Sequence, residues 1–456
     1  MKKIASRTVA ALILSAVILA GLVLFMFSDA VRGDTWMASP SNQHIYSGGV
    51  LTSGRILDRD GAVLYDTTDG TAKYNDDKTI RKATLHAVGD ASGNIATSAK
   101  SAFTDKLVGY DLLNGIYNYG GSGNDLYLTI DADVCKAALN ALGSRNGAVG
   151  VYNYKTGEIF CMVSTPTFDP NNPPEITEEN QSSGLYINRF LSSSFTPGSV
   201  FKLVAAAAAI DNIPDIFEKG FTCTGSVTIG EGTVTCPEVH GTLDFKSALA
   251  FSCNSAFAQI ADELGPDILE AYAEKAGFNK GVTVNGIATG TGNFDLSKAS
   301  DTDVAWSGIG QYTDLANPCA FMTYVGAIAN GGVSVIPRLI SKSETPSGIP
   351  TGLYFKHSGG RVLSADTVET LSDMMHDDVV KNYGESNFPG LDLCAKSGTA
   401  EVGGESTPNA WFAGFIRNED YPLAFVVLVE NGGSGARVAG PIANAALQAA
   451  IKAMEK

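Results

Sequence analysis

Hydrophobic and polar positions divide the chain into three textures. Residues 9–27 (VAALILSAVILAGLVLFMF) are apolar without a charge. From there to about 123 the chain is polar and glycine-rich, with weak periodicity. Within that stretch SGRILDRDGAVLYD reads as two short strands around a turn at Asp60-Gly61. The remainder, 67–123, suggests a small α+β module with helices over 78–88 and 95–113. From 124 onward the patterning strengthens. DLYLTID predicts a strand, 132–142 a helix, and NGAVGVYNY with EIFCMVST an antiparallel pair of strands. Residues 165–195 are loop-like. A helix follows Ser199, and the spacing predicts further helices over 243–264, 267–277, 317–330 and 364–383, with 277–307 irregular. Strands are expected over 393–400, 409–417 and 421–431, then a closing helix over 438–454. Two strands, a block of helices, three strands and a last helix make an α+β fold. They imply a five-stranded antiparallel sheet with helices on both faces.

At ~1.5 Å per residue, the run over 9–27 is ~29 Å long, about the hydrocarbon thickness of a bilayer. Lys2, Lys3 and Arg7 precede it and Asp29 follows, so the positive-inside rule puts the N-terminus in the cytoplasm. A cleaved signal peptide is the rival reading, with Ser28-Asp29-Ala30 as a small-x-small site, but the run is long for that. The expected organisation is a cytoplasmic tail (1–7), a single membrane anchor (8–27), a weakly patterned N-terminal region (28–123) and a main domain (124–456). Everything after Phe27 is then extracytoplasmic, at the cell membrane. A formal net charge of −16 argues against nucleic acid as a partner.

Seven cysteines, an odd number, exclude complete pairing within one chain. Cys223 and Cys236 flank TGSVTIGEGTVT, which reads as a hairpin that brings the two together. A bridge there contributes ~3 kcal/mol in the chain-entropy view. With His240 the two cysteines offer only three metal donors without repeated spacing, so no metal is expected.

Candidate chemistry begins at Thr196-Pro197-Gly198-Ser199-Val200-Phe201-Lys202. The Pro-Gly pair stops what precedes it, and the alanine-rich run to Ile210 is strongly helix-forming. Ser199 and Lys202, at i and i+3, share a helix face. A lysine in an apolar surround loses pKa and can take a serine proton, and a helix start offers free N–H groups to an oxyanion. Ser199 is the only serine with a lysine three positions on. Ser252-Cys253-Asn254 places a second hydroxyl and an amide just before an apolar helix. Lys396-Ser397-Gly398-Thr399 places a lysine, two hydroxyls and a glycine on a strand, a set that can bind a carboxylate and let a substrate backbone approach. The similar Lys155-Thr156-Gly157 lies between two hydrophobic strands and reads as a β-turn.

In that order the three motifs resemble those of penicillin-binding proteins and serine β-lactamases. The chain is identified as similar to class B penicillin-binding proteins of the A type. SGRILDRDGAVLY, LTIDADV, NRFLSSSFTPGSVFK, HGTLDFKSALAFSCNSAFA and WFAGF all resemble family segments in sequence order, although 67–123 is shorter than the usual pedestal. The resemblance implies a peptidoglycan D,D-transpeptidase acylated by D-Ala-D-Ala stems and by β-lactam antibiotics. It makes Ser199 the nucleophile and Lys202 its base. Ser252 and Lys396 become proton-transfer groups, Asn254 holds the donor peptide, and Ser397, Gly398 and Thr399 bind the terminal carboxylate. No cofactor or metal is implied. Partners would be stem peptides, β-lactams, the lipid bilayer and a membrane glycosyltransferase. One departure is Gly310-Gln311-Tyr312, where relatives often carry Gly-Gln-Gly. Alternatives with the same residues are a D,D-carboxypeptidase or a β-lactamase. Alternatives of another kind are a β-lactam receptor or a wall-assembly scaffold. No Glu-x-x-Leu-Asn segment follows Ser252 to supply a deacylating base, and the short tail leaves no room for a cytoplasmic output domain. Two lysines beside one serine repel each other, so one should be neutral, and Lys202, on the buried helix, is expected to be that one.

Overall fold

A computed structural model describes residues 2–37, 46–47, 50–51, 53–109, 123–177, 183–403 and 406–456. Helix α1 (Lys2–Met37) contains a stretch, Lys3–Gly33, long and apolar enough to cross a membrane, and its apolar part up to Phe27 is exposed. The strands that follow are β1 (Arg55–Leu57), β2 (Val63–Asp66), β3 (Lys73–Tyr74) and β4 (Asp125–Leu128). Short helices lie at Lys78–Ala83, Leu85–Val88, Ala99–Ala102 and Thr104–Val108, so the expected helix over 78–88 is broken at Thr84. Residues 110–113 of the helix expected over 95–113 fall outside the described residues.

Helix α2 (Ala132–Leu142) leads into β5 (Gly147–Asn153) and β6 (Ile159–Thr165). A 3₁₀ turn, Gly198–Phe201, opens α3 (Lys202–Asn212). Then come β7 (Gly220–Cys223), β8 (Ser226–Ile229), β9 (Gly232–Thr235), β10 (Gly241–Asp244), α4 (Phe245–Ala250) and α5 (Asn254–Lys275). The two helices expected over 243–264 and 267–277 are divided differently. The break predicted after 264 is a kink inside α5 at Gly265-Pro266, and the real gap is the loop at 251–253. After α6 (Pro318–Ala329) the chain forms β11 (Ile340–Glu344), β12 (Pro350–Leu353) and α7 (Ala365–Asp378). It closes with β13 (Leu393–Ala400), β14 (Asn409–Ile416), β15 (Leu423–Val429) and α8 (Gly440–Met454).

The main sheet has the order β13-β14-β15-β5-β6, antiparallel throughout, as the alternation of expected elements implied. Every residue of β5, β6, β14 and β15 is buried, which is why their sequences read as continuous apolar runs. Helix α6 packs on β15 and β14, while α8 and α2 pack together and against β15 and β6. Edge strand β13 faces the 3₁₀ turn that carries Ser199. The approach is close. A Cβ on Gly198 would meet the Thr399 carbonyl oxygen at 2.9 Å, and one on Gly398 the Pro197 oxygen at 2.7 Å. Gly198 also takes φ of 55°, a conformation open to glycine.

A second sheet, of six strands, was not anticipated: β12-β11-β4-β1-β2-β3. Its pairs are antiparallel except β1 with β4, which run parallel. Strands on either side of residue 123 and strands from beyond residue 340 therefore share one sheet. Arg55 cements the parallel pair through both carboxylate oxygens of Asp125, at 2.8 Å from Oδ1 and 2.5 Å from Oδ2.

The hairpin expected between Cys223 and Cys236 is formed. The hairpin proper is β8–β9, between the two cysteines, while Cys223 ends β7, which pairs with β10. All seven cysteines are free thiols, so the Cys223–Cys236 bridge considered from the sequence is not formed.

Trp411 is fully buried on β14, and its Nε1 donates to the Thr196 carbonyl at 2.9 Å, fixing the approach to Ser199 from behind. Trp411→Phe keeps most of the packing and strands that carbonyl, at a cost of about 1–3 kcal/mol. A lowered thermal midpoint is expected, with less than a few tenths of a kcal/mol lost when an exposed aromatic such as Phe355 is changed instead.

Candidate active site

Ser199, Ser252, Asn254, Ser397 and Thr399 line one cleft of about 660 Å³, together with Trp306, Gln311, Asn382 and Glu401. The 3₁₀ turn provides Ser199, the loop before α5 provides Ser252, the first residue of α5 is Asn254, and the edge of β13 provides Ser397 and Thr399. Strand alternation explains the last pair. Ser397 and Thr399 point to the cleft while Lys396 and Gly398 are buried behind it. A separate pocket around Lys78, Lys82, Asn140 and Arg145 contains none of the motif residues.

Lys202 is fully buried at the head of α3. Its Nζ lies 2.6 Å from the Ser252 carbonyl oxygen, 3.1 Å from Ser252 Oγ and 2.7 Å from Asn254 Oδ1. Burial, and then the charge on Lys396, push its pKa down to about 7. A neutral amine has two hydrogens and one lone pair. The carbonyl and the amide oxygen can only accept, so the Ser252 hydroxyl is the neighbour that can turn and donate to nitrogen. Asn254 is held from its other side, its Nδ2 donating to the Thr235 carbonyl at 2.9 Å. Ser252 itself sits at φ of 53°, an uncommon conformation for a residue with a side chain.

Lys396 has the opposite fate. It is fully buried too, but its Nζ is 3.1 Å from Asp378 Oδ2 and 3.2 Å from the Tyr383 hydroxyl oxygen. Burial works against its charge, and Asp378 and then Tyr383 outweigh it, so the pKa is raised. Asp378 is fully buried and accepts from Lys396, from Asn382 Nδ2 at 2.8 Å and from Tyr383 at 2.8 Å. Burial raises its pKa, and the Lys396 charge and the donors Asn382 and Tyr383 act against that rise. Tyr383 also accepts from the Ser397 N–H at 2.9 Å and lies 2.9 Å from Ser397 Oγ.

The geometry thus brings Ser199, Lys202, Ser252, Asn254, Ser397 and Thr399 to one place. Lys396 and Gly398 support that place from beneath, with no hydrogen bond from Lys396 to Ser252. Lys155-Thr156-Gly157 is a turn, capped by Asn153 Oδ1 accepting from the N–H groups of Lys155 and Thr156 at 2.8 and 2.9 Å. Asp378, Asn382 and Tyr383 are functional neighbours that sequence reasoning missed. They lie where α7 passes into a π-turn (Val379–Tyr383), and nothing in their spacing marks them. In the Gly310-Gln311-Tyr312 departure, Tyr312 adopts φ of 69°, the left-handed region in which glycine is favoured. Gly310 meanwhile accepts the Gly198 N–H at 2.9 Å, tying this loop to the serine turn.

The family profile described as penicillin binding protein transpeptidase domain matches residues 147–448. The chain belongs to the penicillin-binding protein transpeptidase family. Among curated proteins it is similar to peptidoglycan D,D-transpeptidase PbpA of Mycolicibacterium smegmatis, 25% identical over 96% of this chain and 98% of that one. It resembles PbpA of Mycobacterium tuberculosis to the same degree, 25% over 98% of each. Among solved structures, penicillin-binding protein A from M. tuberculosis as a ceftriaxone acyl-enzyme superposes with a TM-score of 0.78 at 23% identity, over 88% of this chain and 98% of that one. The D,D-transpeptidase domain of a peptidoglycan glycosyltransferase from Eggerthella lenta superposes with a TM-score of 0.73 at 26% identity, over 88% and 98%. The family, the A-type resemblance and the fold expected from the sequence are all met by these findings.

Tyr383→Phe tests the support beneath the cleft. Its ring packs edge-on against Phe412, with centroids 5.3 Å apart, so the variant should fold. Loss of the hydroxyl leaves Asp378, Lys396 and the Ser397 N–H each short of a partner. A stability loss of about 1–3 kcal/mol is expected by chemical denaturation.

Proposed function

We propose that the chain is a peptidoglycan D,D-transpeptidase that acts through an acyl-enzyme on Ser199 and is trapped there by β-lactams. The observation that carries this reading is the buried, depressed amine of Lys202, held among Ser252 and Asn254 beside the serine turn. Lys202 takes the Ser199 proton as the hydroxyl oxygen attacks the carbonyl carbon of the penultimate D-Ala. The N–H groups of Ser199 and Thr399 receive the developing oxyanion. The proton passes through Ser252, with Lys396 holding the field, to the departing D-Ala amine. An acceptor amine then enters by the same route in reverse and leaves as the crosslinked product. Asn254 holds the donor peptide backbone, and Ser397, Gly398 and Thr399 hold its terminal carboxylate. This rests on two further supports: the family match and the similarity to proteins named D,D-transpeptidases.

The membrane arrangement belongs to the same reading. The helix over 8–27 anchors the protein once, with 1–7 cytoplasmic and the catalytic part outside. Residues 28–123 form a non-catalytic pedestal and 124–456 the transpeptidase region. The partner that supplies glycan strands is a membrane glycosyltransferase.

The decisive measurement is mass spectrometry of the full-length protein in detergent after a fluorescent penicillin. One penicilloyl group on the Ser199 peptide is expected, and none in Ser199→Ala; label on another residue would refute the assignment. Lys202→Arg cannot release a proton at working pH and should lose acylation by about 10²-fold or more; the charge it buries should also lower the melting point, so circular dichroism must show that the variant is folded before the rate is read. The neutral amine is the active form, so the acylation rate should rise with pH through a midpoint of about 7 and level off above it. A rate that falls across that interval would remove Lys202 as the base.

A further inference from the structure

We propose that Cys223, Cys236, His240 and Cys253 form a site for one divalent cation of the zinc class, which clamps the Ser252–Asn254 loop to the neighbouring hairpin. From the sequence only three of these donors could be grouped, and no metal was expected. The fold adds the missing fourth, Cys253, from the middle of the Ser-Cys-Asn motif. One ligand atom from each residue lies within 4.8 Å of all the others, and all three cysteines are buried while His240 is half-buried. Cys236 Sγ is 3.5 Å from His240 Nδ1. A tetrahedron with ~2.3 Å bonds to sulfur places ligand atoms ~3.8 Å apart, so binding requires a contraction of about an ångström at most.

The chemistry of the donors is specific. Three thiols and one imidazole are a complete tetrahedral set for zinc, and soft sulfur disfavours magnesium and calcium. A disulfide between any two of the cysteines would strand the third. The surroundings suit thiolates. The Asn254 N–H donates to Cys236 Sγ at 3.3 Å and the Ala256 N–H to Cys253 Sγ at 3.4 Å. Oriented donors of this kind around ligand atoms are what a metal centre needs from its surroundings. The hydroxyl of Ser255 is fully buried and has no oxygen or nitrogen partner; it lies against Cys223. Four protein ligands leave no open position, so the ion is structural and takes no part in bond making.

Its position gives it consequence. The four ligands come from the end of β7, the exit of β9, the turn before β10 and the N-cap of α5. They surround the two neighbours of Cys253, Ser252 and Asn254, which supply all three oxygens on Lys202. A cation here ties those oxygens to the Thr235–Cys236 backbone and holds Ser252 in its unusual conformation. The effect on acylation rests on the functional reading above; the metal site does not.

Elemental analysis of the full-length protein, purified in detergent with neither chelator nor added thiol, should give about one zinc per chain. Cys223→Ala and His240→Ala should each weaken zinc binding at least about tenfold in competition with a chromophoric chelator. Cys223→Asp, which keeps an anionic donor, should hold more zinc than Cys223→Ala. Cys161→Ser, a buried thiol in the main sheet, should keep all of it. Removing zinc with dipicolinate should slow penicillin labelling of Ser199, and added zinc should restore it. Zinc below about a tenth per chain, or a disulfide between any two of the three cysteines in that preparation, overturns the site. Zinc-free protein acylated at the original rate overturns the clamp. If the untreated protein takes no penicillin at all, the transpeptidase reading fails while the zinc content still decides the site.

Discussion

The structure depends on one buried amine. Lys202 begins a helix whose next seven residues, to Ala209, are buried as completely as it is, and it hydrogen-bonds the protein's opposite wall through three oxygens, two of Ser252 and one of Asn254 at the start of α5. Removing an ammonium from water is expensive, and three acceptors alone do not offset it. The molecule resolves this by letting the amine give up its proton. The alanine run that follows keeps the helix slim where it packs against α5 and α7. The serine turn could not approach the sheet edge with a side chain at Gly198 or Gly398.

A second lysine makes the arrangement sharper. Lys396 is as buried as Lys202, yet Asp378 and Tyr383 keep its charge. Two amines of the same intrinsic chemistry are driven apart in protonation by a single carboxylate. In the function proposed above, one serves as a base and the other as a fixed positive field, without either being exposed to solvent. The polar cluster that does this is satisfied on every side, which is what permits a charge there.

Much of this was legible in the chain. The main sheet could be read because β5, β6, β14 and β15 are buried on both faces and so appear as unbroken apolar runs. The motif residues could be read because their chemistry is tied to short spacings. The second sheet could not. It pairs β1 with β4 and β4 with β11, contacts over long separations, and its strands are short with polar residues at exposed positions. Asp378 and Tyr383 look like any polar residues at a helix end. Cys253 was visible as a thiol, but its relation to Cys236 and His240 exists only after β7 and β10 pair and bring the loop round. The split of 243–277 into two helices misplaced the gap: Gly265-Pro266 bends a helix without ending it, whereas Ser252-Cys253 leaves the helical region.

The parallel pairing of β1 with β4 has a mechanical consequence. Tension transmitted along the chain from its amino-terminal side reaches the second sheet at Arg55. Force along a strand paired this way acts in shear on its whole row of hydrogen bonds, and on the Arg55–Asp125 ion pair, at once. Peeling them one by one would need far less force. Because β4 continues directly into α2 and β5, and β11 returns from beyond α6, the same sheet distributes such a pull over both ends of the region that carries the cleft. A pull on the chain ahead of Arg55 is thus borne by the second sheet before it reaches the strands that carry the cleft.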